Sequence, residues 1–157
     1  MKKKLIPLIA LIGIMLDQLI KFIVVKKLDL FEQIEIVKNF FSITYVRNEG
    51  AAWSMFSGHS EMLIIVAILV LILFYFYFIR NQQLKKEEII LYGTLMGGIF
   101  GNLIDRILTG SVIDYLSFTI INSEFPVFNL ADILIVVSIA LLIIISFKGE
   151  KNENRNK

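Results

Sequence analysis

The sequence predicts an all-α membrane protein, four transmembrane helices with a small extracellular β-rich region. Three observations lead there. The 157-residue chain is 57% hydrophobic with a mean hydropathy of +0.75, too apolar for a soluble domain. Its apolar residues gather into four runs, Leu5–Val25, Met62–Ile79, Ile89–Leu108 and Asn129–Phe147. Its basic residues cluster at alternate ends of those runs. Each run holds about 18 to 21 residues, which at a rise of about 1.5 Å crosses roughly 30 Å of hydrocarbon. A single domain covering residues 1–157 is expected.

The first run follows Lys2, Lys3 and Lys4, as the core of a cleavable signal peptide would. No small-x-small cleavage site follows, and Asp17, Lys21 and Phe22 occupy the region where one would lie, so a retained helix is expected. Arg80, Lys85 and Lys86 separate the second run from the third, and Lys148, Lys151, Arg155 and Lys157 follow the fourth. Thr109 to Phe128 contains neither Lys nor Arg. By the positive-inside rule both termini and the 80–88 loop are expected in the cytoplasm. Lys26, Lys27, Lys38 and Arg47 in the first outer loop fit that rule less well, yet four spans remain the best topology. The polar tail 148–157 is expected to be cytoplasmic and unstructured.

Between the first two runs, Ile34–Val37 and Phe40–Val46 alternate as strands around a short Lys38-Asn39 turn. Leu116–Ile121 is a similar run ahead of Asn122-Ser123. A small outer sheet or half-barrel is expected from these pieces.

The third run is the least lipid-like. Gly93, Gly97 and Gly101 recur at four-residue spacing and would let another helix approach closely. Gly98, Asn102 and Asp105 fall on a neighbouring face beside Arg106. Helix packing explains the glycines alone. Packing does not require an acid, a base and an amide on one face, so Asp105 and Arg106 are expected to support a site.

Asp114 lies just beyond the third run and Asp132 in the first turn of the fourth, which returns across the membrane. Both carboxylates are therefore expected at similar depth on one side. Two close carboxylates can share a proton, because repulsion raises one pKa. One then deprotonates a water while the other donates a proton, which is the chemistry of peptide hydrolysis without a metal or covalent intermediate. Asn129 or Asp132 would equally well cap the fourth helix. On topology alone both readings stand.

Other chemistries find less support. Cysteine is absent, which excludes disulfides and thiol catalysis. His59 is the only histidine, lies between Gly58 and Ser60, and cannot by itself anchor a zinc site. Lys21 as a base for Ser54 or Ser111 has no supporting context. Asp17 and Lys21, four apart, also suit an intrahelical ion pair. No glycine-rich phosphate loop is present, and no basic stripe with interleaved aromatics suggests nucleic acid. A proton-coupled carrier and an assembly protein with a Gly-x-x-x-Gly subunit face are the competing classes.

The blocks Asp17-x-x-x-Lys21, Val46-Arg47-Asn48-Glu49-Gly50-Ala51-Ala52-Trp53-Ser54-Met55-Phe56, Gly97-Gly98-x-x-Gly101-Asn102-x-x-Asp105-Arg106, Val112-x-Asp114-Tyr115 and Phe128-Asn129-x-Ala131-Asp132 resemble bacterial lipoprotein signal peptidase, the type II signal peptidase. The resemblance covers almost the whole chain. It implies an intramembrane aspartyl endopeptidase of the bacterial cytoplasmic membrane, with its active site toward the outer face. Such an enzyme removes signal peptides from diacylglyceryl-modified prolipoproteins just before the lipidated cysteine. By resemblance, Asp114 and Asp132 are the catalytic dyad; Asn48, Gly98, Asn102, Arg106, Asn129 and Ala131 line the substrate site; Asp17, Lys21 and Asp105 support it. Tyr115 replaces a common Phe. The implied partners are prolipoprotein substrates, membrane lipid and globomycin-type inhibitors, with no cofactor, no metal, no nucleic acid and a monomeric chain. The Arg47–Phe56 loop, with Trp53 and Phe56, is expected to cover the substrate or to form a fixed platform; the sequence leaves both open.

Overall fold

Both prolines lie where a helix tolerates them, Pro7 in a first turn and Pro126 in a loop, so the apolar runs are free to form uninterrupted helices. The computed structural model describes residues 3–51, 55–80, 83–121 and 123–155. Its helices are α1 (Leu5–Lys27), α2 (Ser60–Phe74), α3 (Lys86–Thr109) and α4 (Leu130–Arg155). The α2 rod continues as a π-helical turn, Tyr75–Arg80. Three stretches, Leu5–Lys27, Ser60–Arg80 and Leu130–Lys148, are long and apolar enough to cross a membrane. α3 matches them in length, but its glycines, amides and charged residues make it less apolar. The four expected spans thus become three apolar helices and a more polar fourth one. α4 runs on to Arg155, where an unstructured tail was expected.

Four strands form one antiparallel sheet in the order β1 (Gln33–Val37), β2 (Phe41–Asn48), β3 (Val112–Ile120) and β4 (Ser123–Glu124). Asn39 takes a left-handed φ of 55° in the β1–β2 turn, as the short Lys38-Asn39 connection requires. β3 starts earlier than the run expected from Leu116. Gly110, at φ 73°, ends α3 in a left-handed cap and sends the chain straight back along β2. Asp114 consequently sits on a strand, paired with Val46, and not in a loose segment after the helix.

α3 is the central helix. It packs along α1 and α4 and more lightly against α2. Ile6, Ile79, Ile89 and Tyr92 form an apolar cluster at one end of the bundle. Val24, Leu28, Tyr45 and Tyr115 form another at the end that meets the sheet. Between them lies a buried polar layer that includes Asp17, Lys21, Asn102 and Asp105. The outward faces of α1, α2 and α4 expose long apolar side chains such as Leu19, Leu73 and Val136, as contact with a hydrocarbon solvent demands.

The glycine stripe is consumed inside the chain. A Cβ at Gly93 would meet Ile9 at 2.7 Å, and one at Gly97 the carbonyl of Ala10 at 3.0 Å, so both serve the α1–α3 seam. A Cβ at Gly98 would stand 2.5 Å from the carbonyl oxygen of Ala131, on the α3–α4 side. Replacing a helical Gly by Ala gains about 1 kcal/mol of propensity. At Gly98 the obstacle is backbone, which cannot step aside as a side chain can. Gly98→Ala should therefore lower stability by about 1–3 kcal/mol, read as a reduced unfolding temperature in detergent.

Candidate active site

The site is assembled by a short segment before α4. Phe128 is clipped to β3: its carbonyl accepts from the N–H groups of Tyr115 (3.1 Å) and Leu116 (2.8 Å), and its N–H donates to the Leu116 carbonyl (3.1 Å). Its ring stacks on Phe118, which in turn stacks on Phe41. These contacts deliver the next residue, Asn129, to the side of Asp114. Asn129 is fully buried.

Asn129 is also the residue that precedes α4. Its side-chain oxygen accepts from the Asp132 N–H at 3.0 Å, and its own N–H donates to Asp132 Oδ2 at 3.1 Å. This reciprocal pair satisfies donors left open at a helix start. The cap reading of both residues is therefore realised, and it orients the Asp132 carboxylate. Its other oxygen, Oδ1, accepts from Asn102 Nδ2 at 2.7 Å. Asn129 Nδ2 reaches Asp114 Oδ1 at 2.7 Å and Asn102 Oδ1 at 3.0 Å. Asn48 Nδ2, from β2, reaches Asp114 Oδ2 at 2.9 Å. Two aspartates distant in sequence thus meet around a single asparagine, each with both oxygens hydrogen-bonded.

Their environments differ. Asp132 is half-buried at a helix N-terminus, whose dipole favours negative charge. Asp114 is 3% exposed. Burial pushes its pKa from the ordinary 3.8 up to about 7; the Asp132 charge adds to the rise, while the Asn48 and Asn129 hydrogen bonds oppose it. The neutral acid is thereby accessible near neutral pH.

Beneath this pair lies an ionic core. Lys21 Nζ contacts Asp17 Oδ2 at 2.8 Å, Asp105 Oδ2 at 2.7 Å and Asn102 Oδ1 at 3.0 Å. Its three donors are all committed, so Lys21 does not serve as a free base. Ser111 is buried beside Thr109, and Ser54 lies outside the described residues. Asp17 also accepts the Ala131 N–H at 3.0 Å, and Asp105 the Ile113 N–H at 3.2 Å. Through these two acids the ionic core is tied to both α4 and β3.

Arg106 Nη2 donates to the Gly50 carbonyl at 2.9 Å and ties the start of the 49–59 loop to α3. Its Nε is buried without a partner among the described residues. Trp53 lies outside the described residues, while Met55 and Phe56 are exposed. Gly98 and Ala131 are buried and meet in the α3–α4 seam. His59 sits in an exposed turn, its ring 3.2 Å from the Ser57 carbonyl. Among the described residues, no group of three or more His, Cys, Asp or Glu is arranged to hold a metal ion.

One participant escaped the sequence reading, and one residue noted there makes a contact that was not foreseen. Gln18 Nε2 donates to Asp105 Oδ1 at 2.8 Å and to the Gly101 carbonyl at 3.2 Å. Its position one residue after Asp17 was the available signal. The Tyr115 hydroxyl accepts the Leu130 N–H at 3.0 Å, a contact that Phe could not make. Burial drives the pKa of this phenol up to about 12.

Asp114 has a definite pH signature. Because its folded pKa is raised, the folded protein holds this proton more tightly than the unfolded chain. The associated stability is complete below 3.8 and is lost as pH rises through about 7. Asp114→Asn removes the titration. The variant should gain on the parent by on the order of 2 kcal/mol between pH 5 and pH 8, read as a widening difference in unfolding temperature.

Comparison with known proteins follows the same lines. The family described as Signal peptidase (SPase) II matches residues 9–148. A lipoprotein signal peptidase of Halothermothrix orenii is 40% identical over 147 residues, covering 94% of this chain and 98% of the relative. One from Staphylococcus aureus strain JH9 is 34% identical over 150 residues, covering 96% and 92%. A solved bacterial membrane enzyme, determined in meso at 2.3 Å, superposes with a TM-score of 0.84 at 34% identity, covering 92% of this chain and 88% of that one. A second, at 1.9 Å, gives 0.79 at 35% identity, covering 90% and 91%. Together with its apolar helices, these likenesses make the chain a multi-pass membrane protein, and it belongs to the signal peptidase II family.

Proposed function

We propose that this chain is an aspartic endopeptidase that removes signal peptides from diacylglyceryl-modified prolipoproteins, cutting just before the lipidated cysteine. The observation that carries the reading is the pair Asp114 and Asp132, bridged by Asn129 and unequal in burial. Asp132 accepts from an amide and a backbone N–H at a helix N-terminus and is the carboxylate that takes a proton from the attacking water. Asp114 holds the shared proton and donates it to the departing amide nitrogen as the tetrahedral intermediate collapses. Asn48, Asn102, Asn129 and Arg106 offer hydrogen bonds to a peptide backbone, with Gly98 and Ala131 forming the floor. Asp17, Lys21 and Asp105 hold Asn102 in place. No metal or organic cofactor enters this scheme.

A lipid-anchored substrate arrives sideways through the bilayer, so the dyad belongs at the outer interface. α3 then acts as the fourth span, its polar face turned to its neighbours, and both termini lie in the cytoplasm. The chain works as a monomer, and globomycin occupies the substrate site.

The test is a gel-shift cleavage assay with purified protein and a diacylglyceryl prolipoprotein. Asp114→Asn and Asp132→Asn should each lower the rate by about 10²–10⁴-fold. Both should still unfold cooperatively, Asp114→Asn with the pH-dependent offset from the parent described above. Globomycin should block the parent. An Asp132→Asn protein that cleaves at the parental rate would sink the dyad.

A further inference from the structure

At the end of the bundle opposite the dyad, a cleft of about 360 Å³ opens between the first turns of α1, the π-helical end of α2 and the flank of α3. Its rim carries Lys4 and Arg80, and Pro7, Tyr75 and Met96 line its apolar part. Lys3 builds one wall: its Nζ donates to the carbonyls of Ile79 at 2.7 Å and Arg80 at 3.1 Å, closing the π-helical turn against α1. α2 otherwise makes little contact with α1, so protein does not fill this seam.

Lys4 and Arg80 are exposed and, among the described residues, have no carboxylate partner; the two ion pairs there both belong to Lys21. The Arg80 guanidinium lies over the Phe76 ring, 5.2 Å from its centre, which keeps it against the apolar surface. A basic rim above an apolar slot between membrane-spanning helices is complementary to an anionic head on an acyl chain.

We propose that this cleft binds an anionic diacyl phospholipid of the cytoplasmic leaflet, its phosphate on Lys4 and Arg80 and an acyl chain along Pro7, Tyr75 and Met96. The leaflet assignment rests on the orientation proposed above. A zwitterionic lipid presents the same phosphate but brings an ammonium toward two cations. A free phosphate lacks the chain that fills the seam. The bound lipid holds the end of α2 where protein contacts are sparse.

Native mass spectrometry of the full chain, released from detergent with equimolar phosphatidylglycerol and phosphatidylcholine, reads the binding directly. The parent should retain phosphatidylglycerol in about tenfold preference, and Lys4→Gln with Arg80→Gln should abolish that preference. Inorganic phosphate should leave the adduct in place. Equal retention of the two lipids, a preference unchanged in the double variant, or displacement by inorganic phosphate would each overturn the proposal. Both residues are exposed and remote from the dyad, so the double variant should keep the parental unfolding transition. The readout does not pass through cleavage, and failure of the peptidase assignment would not imitate failure here. Because the chain has no cysteine, Lys4→Cys reports the leaflet. Labelling by an impermeant maleimide only after lysis supports the cytoplasmic side, and labelling of intact cells overturns it.

Discussion

Lys21 carries an ammonium at 1% exposure in the middle of a helix bundle, and the arrangement around it follows from making that charge tolerable. Taking an ion out of water costs several kcal/mol unless partners and hydrogen bonds compensate. Lys21 finds Asp17 one turn back on α1 and Asp105 and Asn102 on α3. Reaching all three demands that α1 and α3 run close together, which Gly93 and Gly97 permit because any Cβ there would collide with α1. The same acids then recruit backbone from the rest of the chain. Asp17 takes the Ala131 N–H of α4, and Asp105 takes the Ile113 N–H of β3.

From this centre the geometry passes outward through one amide. Asn102 Oδ1 accepts from Lys21 and from Asn129, so its Nδ2 is left to face Asp132. A neutral side chain thereby transmits the position of a buried charge without adding charge of its own beside the carboxylates. Asn129 works in the same manner on the other side, as cap of α4 and donor to Asp114 together. Capping and the proposed chemistry are not rival explanations for these residues. A carboxylate held by a helix start is held in a fixed direction, which a reagent also requires.

The polar layer survives because apolar clusters close it off at both ends, and because the sheet seats Asp114 on a strand and not in a loop. The strand sets the depth of Asp114, and the helix N-terminus sets that of Asp132. Asp114 is the more deeply buried of the two, and that burial raises its pKa. Arg106 links this layer to the 49–59 loop through the Gly50 carbonyl, so the loop begins from an anchored point.

Much of this was legible in the residues. Apolar runs of membrane length, the alternating run before Asn39, the glycine spacing and the polar face of α3 each announce themselves, because helix and strand periodicity are local properties of the chain. The two residues of the proposed dyad stood out for a related reason: acids beside apolar runs are costly and rarely incidental. Local pattern could not say that β3 starts at Val112, that Tyr115 bonds the first turn of α4, that Gln18 joins the ionic core or that α4 runs on to Arg155. Nor could it show that Gly98 and Ala131 meet in the α3–α4 seam. Composition and spacing by themselves determined a membrane-embedded helical chain with a polar cluster near one end. Only the tertiary structure decided which amide serves which carboxylate and how deeply each is buried, because those facts depend on contacts between segments far apart in sequence.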